Sequence, residues 1–304
     1  MLSKVRVIAV TALAPALWGT TYFTSTAVLP AGHPLLIATL RAFPAGLILL
    51  AFGRRFPRGS WWWRSVVLGS LNIAAFFAFL FIAADRLPGG AAAVVGGVQP
   101  LLIAVLASRF LGERLTMKTI TAGTIGVIGV ALIVLRASAA LDPIGVVAAL
   151  LGALSMAAGV VLSKRWAGDI PSIVTTSWQL LAGGLLLAIA TLVAEPLPRA
   201  PLSVEALIGS AYLAVMGTAF AYLVWFRGLA VLPARVPAFL GLLSPAVALT
   251  VGITTAGETL TAIQGLGATL VIAAVGSAVL SRPRTNACAD DLGSKPSRAI
   301  RRAR

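Results

Sequence analysis

From Val5 to Ser281 long apolar runs alternate with short polar breaks. The runs recur at roughly 20 residues, long enough for a helix to cross a hydrocarbon core of about 30 Å. The pattern predicts ten spans: Val5–Val28, Pro34–Gly53, Ser65–Ala84, Pro88–Ser108, Thr119–Arg136, Ile144–Ser163, Ile173–Ala194, Val204–Phe226, Pro233–Ala256 and Ala262–Ser281. The breaks between them are short, so consecutive spans should be antiparallel neighbours in a tight bundle. The expected fold class is an all-α polytopic membrane protein. Met1–Thr20 has the look of a secretory signal, with Lys4 and Arg6 ahead of an apolar run, but its counterpart at Ile144–Ser163 argues for a retained first span.

The pattern also repeats. Leu87–Thr116 (LPGGAAAVVGGVQPLLIAVLASRFLGERLT) and Leu232–Thr261 (LPARVPAFLGLLSPAVALTVGITTAGETLT) align without a gap at an offset of 145, with nine identities. Among these are Pro88/Pro233, Gly96/Gly241, Pro100/Pro245, Gly112/Gly257 and Glu113/Glu258. Such self-similarity divides the chain into residues 1–137, residues 138–282 and a polar tail at 283–304. Five spans per half is an odd number, so the second half enters from the opposite side and the repeats are inverted. Secondary transporters often have this design, with substrate near the midplane. The alternative is a duplication that merely built a stable bundle.

Composition agrees with the pattern. Apolar residues make up 59% and charged residues 11%, too few charges to hydrate the surface of a soluble domain. A net charge of +15 would elsewhere suggest nucleic acid, but here the bases sit in short loops and the tail, so no nucleic-acid partner is expected. With the amino terminus inside, twenty Lys and Arg fall on the cytoplasmic side and three (Arg86, Arg136, Arg199) outside. That bias places both termini in the cytoplasm. The single cysteine, Cys288, lies in the tail, which leaves no disulfide or metal framework within the chain.

With ALAPALWGTTYF in the first span, LIATLRAFPAGLILL in the second and the paired GERLT and GETLT endings, the chain resembles the EamA family of the drug/metabolite transporter superfamily. LGALSMAAGVVLSKR and TTSWQLLAGGLLLAIA continue the likeness, which covers residues 5–281. The resemblance implies a ten-helix carrier of the inner or plasma membrane, often an exporter of amino acids or other small metabolites. Met156 departs from it, since relatives often carry an aromatic residue there.

Trp18, Arg41, Asn72, Gln99, Ser155, Gln179 and Ser244 all fall near the centres of their spans. The hydrocarbon core offers them no water, so they should face one another or a wet cavity. Arg41 is the sharpest case, because no Asp or Glu lies mid-span. Either it meets the carboxylate of a substrate such as an amino acid, or it binds carbonyls freed by Pro15, Pro44 or Pro100. Asn72, Gln99 and Gln179 could bind a ligand or bridge helices. Trp18 with Tyr22, and Asn72 with Phe76, share helix faces and could line a cavity or pack. Tyr222 and Trp225 share a face near the inner end and could line a cavity, pack or join an interfacial belt, while Trp61–Trp63 read as such a belt on the cytoplasmic side. Pro100 and Pro245 remove backbone donors at equivalent places, which suggests hinges. Glu113 and Glu258 read as helix-end anchors or gates. The expected substrate site is therefore Trp18, Tyr22, Arg41, Asn72, Phe76, Gln99 and Gln179, with Pro100 and Pro245 as hinges.

The spans contain no Ser-His pair, aspartate pair, zinc set or Walker motif, so no enzyme activity, cofactor or metal is expected. The one histidine, His33, lies in a loop, which disfavours a proton relay through a core acid. The reading is a secondary transporter exporting small metabolites, amino acids or related carboxylates, by alternating access around a midplane cavity. A multidrug exporter of cationic or aromatic compounds is the nearer alternative. A scaffold or intramembrane enzyme is the alternative of a different class. Expected partners are a small-molecule substrate and the bilayer; the pattern leaves the oligomeric state open, and a monomer is compatible with it. The tail reads as disordered and suited to touch anionic lipids.

Overall fold

The computed structural model describes residues 2–28, 32–87, 95–134, 142–196, 198, 201–256 and 261–280. Pro88, Gly257, Glu258, Cys288 and the tail at 283–304 lie outside the described residues. The helical rods are α1 (Leu2–Val28), α2 (Pro34–Gly53), α3, α4 (Gln99–Phe110), α5 (Met117–Val134), α6 (Pro143–Arg165), α7 (Ser172–Ala194), α8, α9 and α10 (Ala262–Leu280). Rod α3 joins Trp61–Gly69, a π-turn Ser70–Ala75 and Phe76–Arg86; α8 joins Val204–Ala214, a π-turn Val215–Phe220 and Ala221–Val231. Rod α9 is broken, Arg235–Leu240 then Leu243–Ala256. Eight of the described helices are long and apolar enough to cross a membrane, so this is a polytopic all-α membrane protein.

Local chemistry sets the ends. Pro34 opens α2, and the Glu195 carboxylate accepts from the Leu35 and Leu36 N–H groups at 3.2 and 2.7 Å. Asp142 caps α6 by accepting from Gly145 N at 2.9 Å, and Ser203 caps α8 by accepting from Ala206 N at 3.1 Å. Large apolar side chains such as Leu185, Ile189 and Leu192 stay exposed, as lipid allows, while small residues mediate the helix contacts.

The packing is reciprocal. The α2–α7 and α5–α10 pairs are matched by α3–α6 with α1–α8, α1–α9 with α4–α6, and α3–α7 with α2–α8. Exchanging each of the first five rods for its counterpart five places on maps this set onto itself, as an inverted-repeat fold requires. Glycines fix the register. A Cβ on Gly46 would lie 2.8 Å from Leu181 N, and one on Gly184 would lie 2.8 Å from Phe43 N. Both partners obey one offset, since 184 − 46 and 181 − 43 are each 138. Gly129 and Gly267 repeat the relation between α5 and α10. The two π-turns match at 215 − 70 = 145, the offset of the sequence repeat.

Candidate functional site

Rods α2 and α7 carry Arg41 and Gln179 at matched positions, and both are buried in the bundle. Arg41 is 8% exposed. Its Nε donates to Thr218 Oγ1 at 3.0 Å and its Nη2 to the Gly217 carbonyl at 3.2 Å. Its Cζ sits 4.9 Å from the Phe77 ring centroid, a cation–π contact. The carbonyl comes from the π-turn of α8, where the helical hydrogen-bond ladder is displaced, and not from a proline break. A guanidinium has five N–H donors. Two are used, and among the described residues Arg41 makes no ion pair.

Gln179 meets the other π-turn. Asn72 Nδ2 donates to Gln179 Oε1 at 2.8 Å and to Ser163 Oγ at 3.1 Å, while Gln179 Nε2 donates to the Thr175 carbonyl at 3.3 Å. Ser155 Oγ donates to the Leu71 carbonyl at 2.9 Å and ties α6 to the same turn. Asn72 is fully buried, and its Oδ1 has no partner among the described residues. A cavity of about 40 Å³ reaches this network, lined by Gln179, Ser163, Thr175, Lys164, Trp61 and Phe226. That volume suits water molecules.

Aromatic rings form a wall nearby. Trp18 stands 5.4 Å from Tyr222 and 5.0 Å from Trp225, centroid to centroid. Tyr222 and Trp225 are 2% and 1% exposed, so they belong to the core and not to an interfacial belt. Rod α8 continues to Val231, past the Phe226 limit expected from hydropathy, so neither ring lies in its last turn. The indole N–H groups of Trp18 and Trp225 are buried without an acceptor among the described residues. Phe76 is half-buried with its ring 5.5 Å from Phe77. Phe77, Tyr222 and Trp225 belong to one core cluster, and Trp18 and Phe76 pack against it. The Tyr22 side chain lies outside the described residues. Gln99 is half-buried at the first residue of α4, and no hydrogen bond joins it to Arg41 or Gln179.

Pro100 and Pro245 do not interrupt continuous helices. Each sits in the first turn of a helix that restarts after a turn, at residues 97–98 and 241–242. There a missing N–H costs little. Glu113 follows α4, and its Oε1 accepts from Ala234 N at 2.7 Å. Lys164 Nζ donates to the carbonyls of Leu229 and Leu232. Together they clamp the turn between α8 and α9 from two other rods. Gly217, Thr218 and Phe77 carry no motif, Ser163 stands within LGALSMAAGVVLSKR without a distinguishing chemistry, and all four join the site only in three dimensions, although the repeat offset does carry Asn72 onto Gly217 (72 + 145 = 217).

A lipid-facing helical bundle with reciprocal halves and converging polar groups at mid-depth defines a membrane carrier. The chain belongs to the EamA-like transporter family, whose model matches residues 6–135 and again 143–280. It is a multi-pass secondary transporter of the drug/metabolite transporter superfamily that exports small metabolites, and not an enzyme. Protein PecM of Dickeya dadantii (strain 3937) is 42% identical over 86% of this chain and 88% of its own length. A WAT1-related chloroplastic protein of Arabidopsis thaliana is 32% identical over 85% of this chain and 66% of its own. The uncharacterized inner membrane transporter YedA of Escherichia coli (strain K12) is 28% identical over 85% and 86%. A solved crystal structure superposes with a TM-score of 0.78 at 21% identity, covering 90% of this chain and 97% of that one, which shows the fold.

Proposed function

We propose that this transporter exports carboxylate-bearing small metabolites, amino acids or related compounds, by alternating access around the mid-depth site between α2, α3, α7 and α8. Arg41 carries the reading. A guanidinium at the centre of a span costs about 2.5–3.5 kcal/mol on insertion scales. Here it keeps three donors without protein acceptors and has no counter-charge among the described residues. A substrate carboxylate supplies both through charge-assisted hydrogen bonds. The wall of Trp18, Tyr222 and Trp225 favours a substrate with an apolar or aromatic part, and it supports a second reading, an exporter of aromatic compounds.

In the same proposal ten spans form two inverted five-helix repeats, residues 1–137 and 138–282, with both termini and the tail at 283–304 in the cytoplasm of a cell bounded by this inner or plasma membrane. The reciprocal contacts and the positive-inside bias support it. The Glu113–Lys164 clamp then closes the cytoplasmic side. Pro100 and Pro245 let α4 and α9 bend at their breaks. Asn72, Gln179, Phe76, Gln99, Trp18 and Tyr22 complete the lining. The test is reconstitution in liposomes with efflux of labelled amino acids, sugars and cationic dyes. Arg41→Ala should fold and lose the carboxylates alone, and Arg41→Lys should keep part of that transport. A folded Arg41→Ala that still exports carboxylates at the wild-type rate would overturn the reading. Cysteines placed after Glu113 and after Glu258 should label from opposite faces.

A further inference from the structure

Arg41 and Gln179 correspond at the offset of 138, and the π-turns correspond at 145. Under these offsets the contact of Gln179 with Asn72 becomes that of Arg41 with Gly217, since 179 − 138 = 41 and 72 + 145 = 217. Gly159, whose Cβ would meet Asn72, becomes Thr21, which faces Gly217 (159 − 138 = 21). The two halves therefore hold the same station, built differently.

In one half the station is filled. The Asn72 carboxamide lies fully buried against Gly159 and donates to Gln179 and Ser163. In the other half the corresponding group is missing. Among the described residues, a Cβ built on Gly217 meets nothing closer than Leu213 Cδ2 at 3.6 Å, Thr21 Oγ1 at 3.7 Å and Arg41 Nη2 at 4.0 Å. Gly217 thus puts no side chain beside the guanidinium, where Asn72 puts a carboxamide beside Gln179, and a first side-chain carbon fits there in ordinary van der Waals contact. The required polarity is also inverted. Gln179 Oε1 accepts, so its partner is a donor, the Asn72 NH₂. Arg41 only donates, so its partner must accept. A carboxylate has the planar shape of a carboxamide and offers acceptors alone.

We infer that the substrate carboxylate binds over Gly217 against the Arg41 guanidinium, in the place that the Asn72 carboxamide occupies in the other half. This rests on the carboxylate reading above and adds the position. With the Asn72 station filled, the proposal gives one carboxylate per carrier, on the side where Gly217 has no side chain.

The test uses the full chain with Gly217→Asp, Gly217→Asn and Gly217→Ala. The Cβ fits at this position, so the backbone need not move. Gly217→Asp tethers a carboxylate to Arg41. Efflux of labelled L-phenylalanine and L-leucine should fall about 100-fold or more in it, as for loss of a charge-assisted pair worth two decades of affinity. Gly217→Asn should lower it about tenfold, and Gly217→Ala less than about threefold. Independently of any substrate, Gly217→Asp should melt at a higher temperature than Gly217→Asn, because only the former gives Arg41 a counter-charge. The double variant Arg41→Gln with Gly217→Asn copies the other half and should fold. Gly217→Asp that melts no higher than Gly217→Asn, or that keeps carboxylate efflux in a protein where Arg41→Gln abolishes it, overturns the position and leaves the carboxylate reading standing. Carboxylate efflux that survives Arg41→Gln overturns both.

Discussion

Gly159→Ala in α6 is expected to destabilise the protein, and only while Asn72 keeps its carboxamide. On helix propensity the change should help, since Ala is favoured over Gly in a helix interior by about 1 kcal/mol. Packing reverses the sign. A Cβ on Gly159 would stand 2.1 Å from Asn72 Oδ1, 2.6 Å from Cγ and 3.0 Å from Nδ2. Asn72 cannot yield cheaply, because it is fully buried and bonded to Gln179 and Ser163. Overpacking of this kind costs about 1–3 kcal/mol. Each interhelical hydrogen bond lost in a membrane bundle adds about 0.6 kcal/mol. Set against the propensity gain, the net loss is about 1–3 kcal/mol. The assay is a double-mutant cycle with Asn72→Ala, read by reversible unfolding in mixed micelles. In the Asn72→Ala background the three obstructing atoms are gone, and Gly159→Ala should become stabilising by up to about 1 kcal/mol. The pair Asn72→Gly with Gly159→Thr copies Gly217 and Thr21 and should also fold. A coupling below about 0.5 kcal/mol would refute the reasoning, because the two sites would then be energetically independent.

Glu113→Ala leaves the buried end of α9 without its acceptor for Ala234 N, a loss of about 1–3 kcal/mol. A cysteine introduced at the buried Val236 should then react faster with an impermeant maleimide, and an unchanged rate would count against the clamp. Gly184→Ala drives a Cβ to 2.8 Å from the Phe43 backbone and should lower the melting temperature in detergent, whereas Gly276→Ala meets nothing within 4 Å among the described residues and should not. Equal shifts for the two would contradict the close α2–α7 crossing. Pro100→Ala restores an N–H at the restart of α4 and should slow the transport cycle, while a wild-type rate would argue against a hinge there.

The amino-acid order alone determined the membrane class and nearly all the rods. Hydrocarbon demands long apolar runs with internally satisfied backbones, and this requirement is written directly into composition. The limits of α2, Pro34 and Gly53, were legible to the residue, because a proline opens the helix and arginines follow it. The duplication was legible as well, and so was Arg41, since an arginine in an apolar run stands out in any hydropathy pattern. Rotation of each helix about its own axis was not legible. In lipid every face is apolar, so no stripe of polar residues says which side turns inward. Tyr222 and Trp225 therefore read as cavity wall, packing or interfacial belt, and the structure stacks them on Trp18 in the core. The π-turns at Ser70–Ala75 and Val215–Phe220 have no residue signature, and they present Asn72 to Gln179 and Gly217 to Arg41. Those encounters were decided by glycine contacts between distant rods, where two backbones approach until a single Cβ would separate them.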